Sequence, residues 1–290
     1  MELWTSGNGA ASGWRSSARS REAAQQGLAG EGSLTEDGLD GTFAVAGAGT
    51  STMGLEEKQQ QFNAAMDLYE KRRVYRLIGK AVSLANVSLQ VYLLYLVLPH
   101  SIGLPQQMLV FFAAYVAADF INGLVHMYMD NNDNYDSPAG PLIAAFHLHH
   151  KTPLYKKNNI LLVYFNESGA KNWLVGYLLL AVILIKTLPI PPAISYLLAY
   201  IGILSSVAEV SHYCCHVVDS GITRSLRNVG LFLSKKHHAR HHIADNVNYA
   251  FLNGLTDPLL NMIAGKYFRG YKNRTDLHYA AYTGSGTANR

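Results

Sequence analysis

The sequence predicts an all-α integral membrane fold, four transmembrane helices with a histidine-rich cap on the cytosolic side. Three observations predict it. Four long apolar runs divide the chain, basic residues gather in the links on one side of them, and ten of the 12 histidines fall on that same side.

Residues 1–75 are polar and rich in Gly, Ser and Ala, and ten of the 25 glycines precede Ser51. Such a segment has too few apolar side chains to offset the entropy of ordering, so a disordered tail with a short basic lead-in is expected there. It lacks the apolar stretch of a signal peptide, and Glu2 comes early. The first apolar run is therefore expected to act as an uncleaved anchor. That run covers residues 81–98. The second covers about 108–129, the third 173–188 and the fourth about 194–210. Each approaches the roughly 20 residues that a helix needs to cross a bilayer core. The third is the shortest, and Lys186 at its end would snorkel. Residues 76–272 form the expected membrane domain, with a flexible C-terminal tail at 273–290.

The links orient these crossings. "PHSIGLPQQ" after the first run has no Lys or Arg, and "KTLPIPPA" after the third has one. The opposite side carries Lys71, Arg72, Arg73, Arg76 and Lys80, then Lys151, Lys156, Lys157 and Lys171, then Arg224, Arg227, Lys235, Lys236 and Arg240. The positive-inside rule places both termini and the long links in the cytosol. The sequons at Asn166 and Asn273 then face away from the glycosylation machinery. The net charge of +4 is modest, and no basic face with interleaved aromatics suggests nucleic-acid binding. The two cysteines, Cys214 and Cys215, are adjacent and imply packing rather than a disulfide framework. The segment "VNYAFLNGLTDPLLNMIAGKYF" carries Gly254 and Pro258, which argue against a fifth crossing. It reads equally as an interfacial segment or a packing helix.

The histidines are His126 at the end of the second run, His147, His149 and His150 in "FHLHH", His212 and His216 in "HYCCH", and His237, His238, His241 and His242 in "KKHHARHH". His212 and His216 are neighbours on one helix face. His238, His241 and His242 fan across about 100° of a helix and can aim at one centre. A neutral imidazole offers one ring nitrogen to a metal while the other is held by a carboxylate or carbonyl. Eight or more imidazoles exceed the four ligands of a tetrahedral zinc. Two metals are expected, and an imidazole-rich, carboxylate-poor set suits iron handling oxygen. His100 and His278 have no partners at ligand spacing.

The motifs "DFINGLVHMYMD", "AFHLHHKTP", "EVSHYCCH" and "KKHHARHHIADNVNYAFLNGLTDPLLN" together resemble the Kua-type lipid desaturases over about residues 108–265. That family includes plasmanylethanolamine desaturases and the plastid desaturases of phosphatidylglycerol-bound palmitate. The resemblance implies iron ligands at His126, His149, His150, His212, His216, His238, His241 and His242, with His237 matching a histidine in some relatives. It implies supporting roles behind the ligands, or structural ones, for Asp119, Asp130 and Asn166, and it leaves His147 outside the ligand set. The segment "LYKKNNILLVYFNES" departs from the family pattern.

The function implied is a membrane di-iron, O2-dependent lipid desaturase acting on a phospholipid-attached alkyl or acyl chain, of the plasmanylethanolamine type. Its cofactors would be two Fe ions, with O2 as co-substrate. The alternatives are a phosphatidylglycerol acyl desaturase of the plastid type and a lipid hydroxylase of the same di-iron class. A metal-binding transporter or scaffold is the non-enzymatic one. No dinucleotide fingerprint is present, so electrons are expected from a b-type cytochrome or a ferredoxin. The endoplasmic reticulum is the expected membrane, with a plastid membrane as the alternative.

Overall fold

A computed structural model describes residues 52–151, 155, 158–217, 220–244, 247–268 and 281–282. They belong to the compact unit Thr50–Arg290. All regular structure among the described residues is helical: α1 Thr52–Lys71, α2 Arg73–Val97, α3 Leu104–Asp130, α4 Gly140–Lys151, α5 Ile160–Glu167, α6 Asn172–Thr187, α7 Pro192–His216, α8 Gly221–Asn228, α9 Lys235–Ala244 and α10 Asp257–Tyr267.

Three of these, α2, α3 and α7, are long and apolar enough to cross a membrane. The expected third crossing is different. Helix α6 has only 16 residues, and it is joined to Ile160–Ala170 through a bend of 92°. The pair makes a fourth crossing only if it counts as one broken span.

Helices α3 and α7 form the centre of the bundle. Ala114, Ala118, Leu204 and Ala208 pack between them, and small side chains let two such helices approach closely. Leu93, Leu174, Leu178 and Ala199 join α2, α6 and α7. Gly202 lets Leu178 pack closely there, because a Cβ would lie 2.5 Å from Leu178 Cδ2 and push that methyl aside. The outer faces of α2, α3 and α6 expose Leu84, Val91, Leu109, Phe112 and Ile183, as surfaces turned toward lipid would.

The disordered tail expected over residues 1–75 does not extend that far. Its first 51 residues lie outside the described ones, but Thr52–Lys71 is a helix. Phe62, Ala65 and Met66 bury against Tyr135, Ile143 and Ala144, so α1 gains the apolar partners that its own composition lacks. Most of the expected C-terminal tail is likewise outside the described residues. Ala281 and Tyr282, however, are tied to α1. Gln59 Nε2 donates to the Ala281 carbonyl at 2.9 Å, and Tyr282 Oη donates to Asp67 at 2.5 Å. Asn273 and His278 are not among the described residues.

Candidate metal centre

Four helices bring their histidines to one end of the bundle. His126 lies near the C-terminal end of α3, and His212 and His216 close α7. His149 and His150 end α4, and His238, His241 and His242 lie on α9. The side chains form two groups whose donor atoms lie within 4.8 Å of one another. One holds His149, His212, His216, His238 and His242. The other holds His126, Asp130, His150 and His241. Together they contain all eight histidines that the family resemblance implied as ligands.

In the five-histidine group the Nε2 atoms face each other. His149 and His212 are 3.0 Å apart, His212 and His216 3.4 Å, His216 and His238 2.8 Å, and His238 and His242 2.9 Å. Adjacent ligands on a six-coordinate ion with bonds of about 2.1 Å stand about 3.0 Å apart. In the second group Asp130 Oδ1 is 3.0 Å from His150 Nε2. Its Oδ2 is 3.3 Å from His126 Nε2 and 3.6 Å from His241 Nε2.

The opposite ring nitrogens settle which atoms face inward. His126 Nδ1 is 2.7 Å from the Tyr249 carbonyl and His241 Nδ1 is 2.7 Å from the Val247 carbonyl. His242 Nδ1 is 3.3 Å from the His150 carbonyl. A carbonyl only accepts, so each Nδ1 carries the proton and each Nε2 lone pair points into its group. Burial, reinforced by neighbouring imidazoles, holds His149, His238 and His241 well below the usual histidine range. Burial likewise lowers His242 to about 4. Neutral rings with inward lone pairs repel unless a cation lies among them. Asp130 Oδ2 and His241 Nε2 are buried with no hydrogen-bond partner among the described residues, and a metal ion would satisfy both. The residues fit two metal ions.

The remaining candidates separate. Asp130, expected as a supporting residue, is itself in a donor group. His237 is not; its Nε2 pairs with Asp257 Oδ2 at 2.6 Å. Asn166 is exposed on α5 and joins neither group. His147 spends both ring nitrogens elsewhere, Nδ1 on Tyr135 Oη at 2.6 Å and Nε2 on the Met129 carbonyl at 2.8 Å. Cys214 is buried and packs with Val163, Val210 and Tyr213. Cys215 Sγ lies 3.5 Å from the Ser211 carbonyl.

Asp119 is structural. Fully buried, it accepts from the backbone amides of Leu252, Asn253, Gly254 and Thr256 at 3.0–3.3 Å. This fixes the loop that carries Phe251. The Phe251 ring stacks on His212 at 4.2 Å and lies 4.1 Å from His126, between centroids, so it touches both donor groups. Asp119→Asn should lower the unfolding free energy by about 1–3 kcal/mol, read as a drop in the thermal midpoint.

Two further residues support the site from inside the bundle. Glu209 Oε2 lies 3.5 Å from His212 Nδ1, and its Oε1 is 2.9 Å from Lys171 Nζ. Lys171 also donates to Asn122 Oδ1. The signal available in the sequence was Glu209 itself, an acidic residue inside an apolar run, which marks an intramembrane functional position by default.

No curated protein and no solved structure matches the chain. A family model, "Lipid desaturase domain", matches residues 115–269, just over half of the sequence and inclusive of every donor in both groups. The chain therefore belongs to the lipid desaturase family, and a lipid-acting oxidoreductase is the activity this membership supports.

Proposed function

We propose that the protein is an O2-dependent membrane desaturase that introduces a double bond into the alkyl or acyl chain of a phospholipid, at a centre of two iron ions. The observation that carries the proposal is the pair of adjacent donor groups, five imidazoles in one and three imidazoles with a carboxylate in the other. Two metals with mainly nitrogen ligands suit iron that handles oxygen. Bound iron would supply the activation of O2 and the removal of two hydrogens from adjacent carbons.

The balance of the reaction requires more than the lipid. One CH2–CH2 unit and one O2, with two electrons and two protons from outside, give one CH=CH unit and two waters. A b-type cytochrome or a ferredoxin is the electron donor proposed. The residues of the chain orient the donors: carbonyls of residues 150, 247 and 249 fix the tautomers of His242, His241 and His126, and Phe251 packs against one ring of each group. The bundle would sit in the endoplasmic reticulum with both termini and the donor end cytosolic, and an ether phospholipid is the leading substrate.

Purified protein should contain two irons per chain by elemental analysis. Removing them with a strong chelator under reducing conditions should abolish turnover, and ferrous iron should restore it. Lipid profiles of cells with and without the protein identify the product. A vinyl ether supports the ether-phospholipid reading, and a trans double bond in phosphatidylglycerol supports the acyl reading. A hydroxylated lipid, or active protein without iron, overturns the proposal.

A further inference from the structure

A cleft of about 350 Å3 opens where α1 meets α2, against the turn that follows α3. Its lining includes Gln61, Arg72, Tyr75, Tyr135, Asp136 and Ser137. None of these is a donor in either metal group. Arg72 is the single residue between α1 and α2, with extended backbone (φ −96°, ψ 110°). That break leaves its side chain exposed at the mouth of a candidate membrane span. Asp136 is exposed on the facing turn. Among the described residues neither charged side chain has an ion-pair partner, so one cleft presents a free cation and a free anion.

The position of the cleft matters as much as its charge. Lys71, Arg73, Arg76 and Lys80 surround Arg72 in sequence, and a cluster of this kind at the end of a span lies at the level of lipid phosphates. The inner wall is Tyr135, which is buried. Its hydroxyl bonds to His147, and His147 lies on α4 with His149 and His150. The buried His147 thus stands between this wall and His149 and His150, which follow it within one turn of α4. A lipid held here by its headgroup would have its phosphate at the same end of the bundle as the donors, beside the helix that carries His149 and His150.

We infer that the cleft binds the headgroup of the phospholipid substrate, with Arg72 on the phosphate and Asp136 on a headgroup ammonium. The inference rests on the desaturase reading above and narrows it. A guanidinium matches phosphate geometry through paired N–H donors. A carboxylate beside it gains a partner from an amine-bearing zwitterionic headgroup. An uncharged glycerol headgroup supplies no cation, and its lipid brings a net negative charge to Asp136. The cleft thus selects phosphoethanolamine over phosphoglycerol lipids.

Binding can be read without turnover. Wild type, Arg72→Gln and Asp136→Asn would be purified, given an equimolar mixture of phosphatidylethanolamine and phosphatidylglycerol, and the retained lipid measured by native mass spectrometry. Wild type should retain the ethanolamine lipid in excess. Asp136→Asn should bring the ratio near one, and Arg72→Gln should cut retention of both lipids by about tenfold. Iron content should be unchanged in both variants, which separates this outcome from failure of the metal centre. Excess soluble glycerophosphoethanolamine should not displace the lipid; displacement would make the cleft a site for the free headgroup and overturn the assignment. Equal retention of the two lipids by wild type, or an unaltered preference in Asp136→Asn, would overturn it as well, whether or not the protein desaturates.

Discussion

His241→Ala is expected to abolish desaturation and to lower the iron content from two per chain to one, while the protein remains in the membrane. His241 is fully buried. Its Nδ1 is committed to the Val247 carbonyl, so its Nε2 lone pair has one direction left, toward Asp130 and His126. Truncation removes one of only four donors in its group. The five-histidine group loses none. Removing an outer-shell partner of a metal ligand costs about 10–100-fold in affinity or activity, and removing the ligand itself should exceed that range. The apolar packing among α2, α6 and α7 is untouched by the change, so membrane extraction and helix content should match wild type. A variant that keeps both irons and turns over would exclude His241 as a ligand and leave the second group without a claim to metal.

The histidine pattern carried this much because ligand spacing is local. His212 and His216, or His238, His241 and His242, need only a helix to reach one face. The grouping of four segments then followed from the links between apolar runs. What the sequence did not disclose is non-local. Helix α1 was hidden by its polar composition, although Phe62, Ala65, Met66 and Tyr69 repeat at i, i+3, i+4 and i+7, a helical period. Their partners at residues 135, 143 and 144 lie some 70 residues away. The bend between α5 and α6 was hidden because apolar composition is the same for a straight span and a broken one. Asp130 read as a supporting residue because a carboxylate one turn from His126 can either receive a proton or bind metal, and spacing does not distinguish them. Lys171 is the clearest case. By sequence it is one more cation in a basic link; in the fold it is 5% exposed and paired with Glu209, 38 residues further on.

Lys171→Met is accordingly expected to be the most destabilising change in the bundle. Burying a charge is costly unless it is paired and hydrogen-bonded. Here the pair is complete, because Lys171 Nζ meets both Glu209 and Asn122, and Asn122 is held in turn by Ser205 at 2.9 Å. The methionine keeps the length of the lysine stem but strands the Glu209 carboxylate in the apolar interior. Loss of one partner of a buried pair costs about 3–5 kcal/mol, which should appear as a large drop in the thermal midpoint in detergent. The double variant Lys171→Met with Glu209→Gln removes both charges, and replacement of a whole buried pair is often close to neutral. It should recover more than half of the lost stability. The two effects then separate: the double variant is stable, yet His212 no longer has a carboxylate 3.5 Å from its Nδ1. Its iron content and spectrum should differ from wild type even though the fold is restored. If the single variant were as stable as wild type, Lys171 and Glu209 would not be paired in the membrane, and the link between the helix break and the five-histidine group would be lost.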